Sequence, residues 1–279
     1  MSHPEKWRET CDPFALPYSR FRPLEILGYP HAGNDVFHVL GLYRGAEVRA
    51  YIKAARQKGS AIENEVALLK RLDAPLFPKV IDWGFEGTPF SVTLELPGER
   101  LSTLLGDNAD MASMAYLPRY GRALAALHRM AIPASPVADR RFFHAPDAAT
   151  LRRMDLVFLQ GYFADCPRPT VECFCHGDFH YANLLWRDGE ITGILDFELA
   201  GLGNRDFDIA WALLLRPGQR FLMTEAEQAA FLDGYAALGD FDLSAVRRCM
   251  AQCYVYFLQF SGNDRAYCDY VRGWLEALV

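Results

Sequence analysis

The sequence predicts an α+β protein in two parts, a strand-rich first hundred residues with one main helix and a mostly helical remainder that holds one small hairpin. Three observations carry this. Between residues 36 and 96, short apolar and β-branched runs alternate with polar positions. Beyond residue 111, apolar residues recur every three or four positions. The exception is 173–196, where two compact apolar runs, Leu184-Leu185-Trp186 and 191–195, flank Arg187-Asp188-Gly189-Glu190.

Taken in order, residues 36–43 and 48–54 read as an antiparallel hairpin, because β-branched and aromatic residues flank the turn Arg44-Gly45-Ala46-Glu47. A helix is predicted over 60–72, with Ile62, Val66, Leu69 and Leu72 on one face and Ser60 as a cap ahead of Glu63. Residues 79–83 and 90–96 read as two more strands, the second alternating Val92, Leu94 and Leu96 against Ser91, Thr93 and Glu95. Pro97-Gly98-Glu99 breaks the pattern and places a hinge at about 95–98, between residues 1–96 and 97–279. Helices are expected over 111–130, where Leu117, Leu124 and Leu127 sit on an Ala-rich frame, and over 224–238, 243–260 and 264–278.

Composition narrows the classes of function. The 279 residues are 51% apolar, enough for a sizeable core, and the net charge of -6 argues against a nucleic-acid partner. From Leu151 onward there are 18 acidic residues against 11 arginines and no lysine. That acidic half suits a cationic or metal-bound ligand as well as an ordinary solvated surface. The seven cysteines are odd in number, and the spacing of Cys173 and Cys175 suits neither a CxxC pair nor a zinc knuckle, so a reducing compartment is expected. The start MSHPEKWRET has no apolar signal core, and the longest wholly apolar run, 209–215, is too short to cross a bilayer. The expectation is a soluble cytoplasmic protein with a small-molecule substrate and no membrane partner; nothing in the sequence speaks to oligomeric state.

The chemistry concentrates in His176-Gly177-Asp178-Phe179-His180-Tyr181-Ala182-Asn183, followed 18 residues after Asp178 by Asp196-Phe197-Glu198. Phosphoryl transfer needs such a set. One carboxylate positions the attacking hydroxyl and takes its proton, while an amide oxygen and a second carboxylate hold the magnesium that neutralises nucleotide phosphates. Asp178, Asn183 and Asp196 fit those roles in that order. Taken singly, each has a plain structural reading as a turn cap, an Asx turn or a strand end; the combination does not. His176 reads as a hydrogen-bonding residue that orders the loop. A competing chemistry is metal-assisted hydrolysis with His176, Asp178, His180 and Asp196 as ligands, but it leaves the first half of the chain without a task.

Nucleotide binding supplies that task. Lys53, near the end of a predicted strand, can reach phosphate oxygens, and Glu65 on the next helix can pair with it and fix its position. Gly28 and Gly33 flank Tyr29-Pro30-His31-Ala32, so the backbone there can fold over a triphosphate with Gly33 close to it. There is no GxGxxG or P-loop pattern, and a plain hairpin turn explains these glycines equally well.

On HGDFHYANLL (176–185), ILDFELAGLG (194–203), the run 205–210 and ALAALH (123–128), the sequence resembles the aminoglycoside phosphotransferase and choline kinase family over residues 28–235. The resemblance implies a two-lobed protein-kinase-like fold, with 1–96 as the nucleotide-binding lobe and 97–279 as the catalytic and substrate-binding lobe. It implies an enzyme that uses Mg2+ and moves the γ-phosphate of ATP (or GTP) to a hydroxyl of a small, cationic acceptor of aminoglycoside, choline, amino-alcohol or sugar type. It further implies that Asp178 is the catalytic base, that Asn183 and Asp196 bind magnesium, and that Lys53 and Glu65 form the phosphate-orienting ion pair. By the same likeness the backbone of Leu94 and Leu96 holds the adenine edge, and Asp208 braces the catalytic loop. The Gly-rich loop matches loosely, and Glu198 stands where relatives vary, so it is assigned no catalytic role, although an acid there can touch the metal or a cationic substrate. The alternative is a non-catalytic nucleotide-binding regulatory protein of the same fold, disfavoured by the presence of the base and both metal ligands. Trp211, Tyr235, Tyr254 and Phe257 on the late helices read either as core or as a pocket wall that stacks on a cation.

Overall fold

The computed structural model describes residues 11–30, 33–57, 59–72, 74–261 and 264–279. The chain divides into two units: Met1–Gly98 with Leu184–Arg187 and Thr192–Leu199, and Glu99–Asn183 with Asp188–Ile191 and Ala200–Val279.

In the first unit, β1 (Phe21–Gly28), β2 (Asp35–Tyr43), β3 (Ala46–Ala54), β4 (Val80–Gly84) and β5 (Phe90–Leu94) form one antiparallel sheet in the order β1-β2-β3-β5-β4. β2 and β3 pair from Asp35↔Ala54 to Tyr43↔Ala46 around Arg44 and Gly45, whose φ angles of 54° and 84° suit the right-handed twist of the flanking strands. Phe37, Val39, Ala50, Ile52, Ala54, Phe90 and Val92 are buried in one apolar cluster. Strand alternation then turns Lys53 to the opposite face, toward α1 (Ile62–Leu69). α1 buries Ile62, Glu65, Val66 and Leu69, a three- and four-residue spacing that carries a carboxylate on the same face as the apolar stripe.

Three details differ from the sequence reading. The helix begins at Ile62, its N-cap is Ala61, and the Ser60 hydroxyl is buried without a partner, so Ser60 lies one position too early to cap it. β5 ends at Leu94, and Leu96 follows it outside the strand. β1 went unrecognised because Pro23 interrupts it, which an edge strand tolerates since its outer N–H groups have no ladder partner to lose.

Leu184–Arg187 and Glu190–Ile194 make the expected hairpin, its turn formed by Asp188 and Gly189 at φ 52° and 77°.

The second unit contains α2 (Leu101–Leu105), α3 (Leu117–His128), α4 (Ala148–Arg153), α5 (Leu159–Asp165), α6 (Arg205–Leu213), α7 (Glu225–Ala236), α8 (Leu243–Leu258) and α9 (Arg265–Glu276). Glu172–Cys175 pairs antiparallel with Gly201–Asn204. The single helix expected over 111–130 is instead a short 3-10 turn, Ala112–Ala115, followed by α3. Met111 sits at φ 58°, and Pro118 in the first turn of α3 has no N–H for a helix arriving from before it, so the two pieces cannot be continuous. α3 and α7 meet at glycines: a Cβ at Gly121 would lie 1.9 Å from the Phe231 carbonyl oxygen, and one at Gly234 would lie 2.0 Å from that of Pro118. α6 is buried along its whole length and packs on α8. Tyr235 and Tyr254 are core residues, 1% and 0% exposed.

Candidate functional site

Within the first unit, the Lys53 ammonium lies 2.9 Å from Glu65 Oε2, 2.9 Å from Asp196 Oδ1 and 2.9 Å from Glu198 Oε1. β3 delivers the lysine, α1 delivers Glu65, and the segment after the 184–194 hairpin delivers the two remaining carboxylates. The second Glu65 oxygen accepts the Phe197 N–H at 3.0 Å, so one buried side chain fixes both the lysine and the 196–198 segment. Asp196 itself has φ 67°, a left-handed conformation that Asp enters more readily than most residues. Asn34 Nδ2 donates to Glu198 Oε1 at 2.5 Å. Burial opposes the charge on Lys53, but the three carboxylates outweigh it and hold its pKa above the ordinary lysine value. Glu65 is pushed up by burial and by the neighbouring charges of Asp196 and Glu198, with Lys53 acting against them.

The donor set fits a divalent cation. One oxygen each of Glu65, Asp196 and Glu198 lies within 4.8 Å of the others, beside the single Lys53 ammonium. Oxygen ligands carrying excess negative charge are what Mg2+ selects.

Within the second unit, the 176–183 loop is held from below by α6. Asp208 accepts the backbone N–H of His176 at 2.8 Å and that of Gly177 at 3.0 Å, and its Oδ2 lies 3.1 Å from His128 Nε2. His128 Nδ1 in turn meets the Tyr235 hydroxyl at 2.7 Å. Burial tends to raise the Asp208 pKa, but His128, His176 and the loop N–H groups reverse the sign and lower it. Asp208 is thus a buried anion that ties α3, α6 and the loop together.

Asp178 projects from this loop. Its Oδ1 accepts the Trp211 indole N–H at 2.7 Å, and its Oδ2 accepts Asn183 Nδ2 at 3.1 Å and lies 3.7 Å from His180 Nε2. Asn183 Nδ2 also donates to the Asp178 carbonyl at 3.0 Å, which turns the amide's acceptor end away from Asp178. His176 is fully buried, and its Nδ1 accepts the Asp178 N–H at 3.3 Å. Among the described residues, the groups of possible metal ligands are Glu65–Asp196–Glu198 and His128–Cys173–Cys175; His176, Asp178 and His180 do not form one.

The structure therefore gathers Lys53, Glu65 and Asp196 in one unit, and Asp178, Asn183, His176 and Asp208 in the other. Leu94 closes β5 and donates its N–H to the Lys79 carbonyl at 3.0 Å, while Leu96 lies just beyond. Gly33 has φ 93° with open space where a Cβ would be; His31 and Ala32 of the same loop lie outside the described residues. From sequence, Glu198 is assigned no catalytic role, only a contact open to the metal or a cationic substrate, and the roles of Asn34, His128 and Trp211 go unmarked. Trp211 was legible in principle: it follows Asp208 by three residues on α6, so a helix that braces the loop with one brings the other to the same side. All seven cysteines are free, with the Cys173 and Cys175 sulfurs 3.8 Å apart.

Comparison with known proteins adds to this geometry. Residues 30–249 match the family described as the phosphotransferase enzyme family (APH). An N-acetylmuramate/N-acetylglucosamine kinase from Caulobacter vibrioides is 38% identical over 85 residues, covering 24% of this chain and 23% of that protein's length. A thermostable mutant of aminoglycoside phosphotransferase APH(4)-Ia, solved as a ternary complex with ADP and hygromycin B, superposes with a TM-score of 0.61 at 16% identity, covering 94% of this chain and 93% of that one. APH(2")-IIa in its ternary complex with streptomycin and ATP gives 0.59 at 15% identity, covering 88% and 90%. Macrolide 2'-phosphotransferase MphH from Brachybacterium faecium gives 0.51 at 18% identity, covering 92% of each chain. These likenesses show the fold, an α+β protein-kinase-like arrangement shared with those phosphotransferases. No described helix is long and apolar enough to cross a membrane.

Proposed function

Because the chain belongs to the phosphotransferase enzyme family, we propose that it is a cytoplasmic small-molecule kinase that moves the γ-phosphate of ATP or GTP, with Mg2+, onto an acceptor hydroxyl. The observation that carries the reading is the Lys53 ammonium at 2.9 Å from both Glu65 and Asp196. A half-buried lysine so oriented can hold nucleotide phosphates, with Glu65 fixing its direction. In this reading residues 1–96 bind the nucleotide, with Leu94 and Leu96 along the adenine edge and Gly33 near the phosphates, and residues 97–279 bind the acceptor, with a hinge at 95–98.

Asp178 is the base. Its carboxylate is oriented by Trp211 and Asn183, and it takes the acceptor's hydroxyl proton as that oxygen bonds to the γ-phosphorus and the bond to the β-phosphate oxygen breaks, releasing the nucleoside diphosphate. Asn183 and Asp196 would hold Mg2+, which would neutralise phosphate charge. His176 and Asp208 keep the loop in shape and touch no substrate. A sugar-type hydroxyl is the acceptor class supported by the name of the Caulobacter relative and by the hygromycin B and streptomycin of the structural neighbours.

The test is nucleoside diphosphate release with Mg2+, ATP or GTP, and a panel of amino sugars, neutral sugars, aminoglycosides, choline and ethanolamine. Asp178→Asn is expected to lower kcat by about 10²–10⁴-fold, the usual worth of general base catalysis, with nucleotide affinity unchanged. An undiminished kcat in that variant overturns the assignment.

A further inference from the structure

A cavity of about 560 Å³ is lined entirely by residues of the second unit, among them Arg140, Arg168, Arg248, Asn204 and Gln252. Its size falls in the range of small-ligand sites, roughly 300–1,000 Å³. Three arginines share its wall, and two of them are held in an unusual way. Arg248 is 2% exposed, and its Nη1 donates to the carbonyls of Phe163 and Cys166 at 2.5 and 3.1 Å. Arg140 Nη2 donates to the Gly177 carbonyl at 2.7 Å, and its guanidinium lies 4.7 Å from the Phe143 ring centre. Carbonyls and rings orient a guanidinium without cancelling its charge.

The polar accounting at this wall is incomplete. Arg140 Nε, Arg248 Nε and Asn204 Oδ1 are buried with no hydrogen-bond partner, and all three residues line the cavity. Native proteins leave few such groups, and a buried cation without an anion is costly. The carboxylates at the wall do not balance the arginines: Asp208 already engages His128, His176 and Gly177, and Glu172 is exposed. Burial keeps the Arg140 pKa below the ordinary arginine value although Asp178 and Asp208 act in the opposite sense. Apolar Val137, Phe143, Leu202 and Phe207 complete the wall, so a partner must present an organic body as well as charge.

We propose that this cavity binds a small organic anion, a carboxylate or a phosphate monoester, through Arg140, Arg168 and Arg248. Guanidinium forks match the oxygens of both groups. Its position beside the catalytic loop follows from Arg140, which bonds Gly177, the neighbour of Asp178, and lies 5.6 Å from the centre of the Trp211 ring that donates to Asp178. On the kinase reading, on which this step alone rests, the anion is either part of the acceptor or an effector that adjusts the loop.

Calorimetric titration of the full chain without nucleotide, using glucuronate, glucose 6-phosphate and neutral glucose as probes, tests the site independently of any transfer. Saturable binding of at least one anion with no binding of glucose is expected, weakened about tenfold or more by Arg140→Gln. Arg168→Ala, at an exposed position where folding is not at stake, is expected to weaken it about threefold or more. Absence of binding by both anions at about 10 mM, equal binding of glucose, or unchanged affinity in both variants overturns the proposal. Nucleoside diphosphate release then separates the sources: an anion that is consumed is the acceptor, and one that changes the rate with another acceptor is an effector. Failure of transfer with binding intact would count against the kinase reading and leave the anion site standing.

Discussion

Asp208→Asn replaces one oxygen of a buried carboxylate by an amide NH2 at nearly constant volume. Asp208 accepts from the N–H groups of His176 and Gly177 at 2.8 and 3.0 Å and lies 3.1 Å from His128 Nε2. An amide can turn its oxygen toward only one of the two loop N–H groups, so the other faces a donor, at about 1–3 kcal/mol for an unsatisfied buried group. The bonds that survive lose their charge assistance, at about 1 kcal/mol together at the least. A net loss of about 3 kcal/mol is expected, which lowers the thermal midpoint by about 6–12 °C in a chain of this size. The effect has a pH signature. The folded-state pKa is held below the ordinary aspartate value, so the carboxylate contributes its stability above that ordinary value and loses it as pH falls through the folded pKa. The gap between wild type and variant should be full at pH 7 and begin to shrink below about pH 4. Thermal denaturation followed by circular dichroism from pH 7 to pH 3 measures it. A midpoint within about 2 °C of wild type at pH 7, or a gap that stays constant into acid, refutes the view of Asp208 as the charged brace of the loop.

Trp211→Phe keeps an aromatic ring against Phe142, now 5.0 Å away, and removes the indole donor to Asp178; kcat should fall about tenfold, the worth of one charged hydrogen bond, with the nucleotide KM unchanged in steady-state kinetics. A rise in KM alone would point to substrate binding instead. Lys53→Ala should raise the nucleotide KM about tenfold or more while sparing the acceptor KM, and saturation curves for both substrates distinguish this from a general loss of fold. Gly234→Ala would bring a Cβ to 2.0 Å from the Pro118 carbonyl oxygen, forcing α3 and α7 apart; a loss of about 1–3 kcal/mol or more in urea denaturation is expected, and a neutral result would show that the helices have room to part.

Much of the site was legible because it is local. Asp178 and Asn183 sit on one short loop, so a five-residue spacing suffices to let the Asn183 amide reach the Asp178 carboxylate. The 184–194 hairpin was visible from an Asp-Gly turn between apolar runs, and Lys53 and Glu65 from a strand followed by an amphipathic helix. Short elements without a period of their own were not: Glu172–Cys175 and Gly201–Asn204 are four residues each, and α6 is buried on every side and carries no polar stripe to mark it as a helix.

The sequence by itself determined the chemical kind of the protein, since phosphoryl transfer draws on a few residue types at short spacings that a single line of residues displays. Only the tertiary structure decided which carboxylates crowd Lys53, that Trp211 holds Asp178, and that Arg140 and Arg248, 108 positions apart, share one cavity wall. Such pairings depend on how helix faces and strand edges pack, and two residues far apart in the chain carry no local periodicity that announces their meeting.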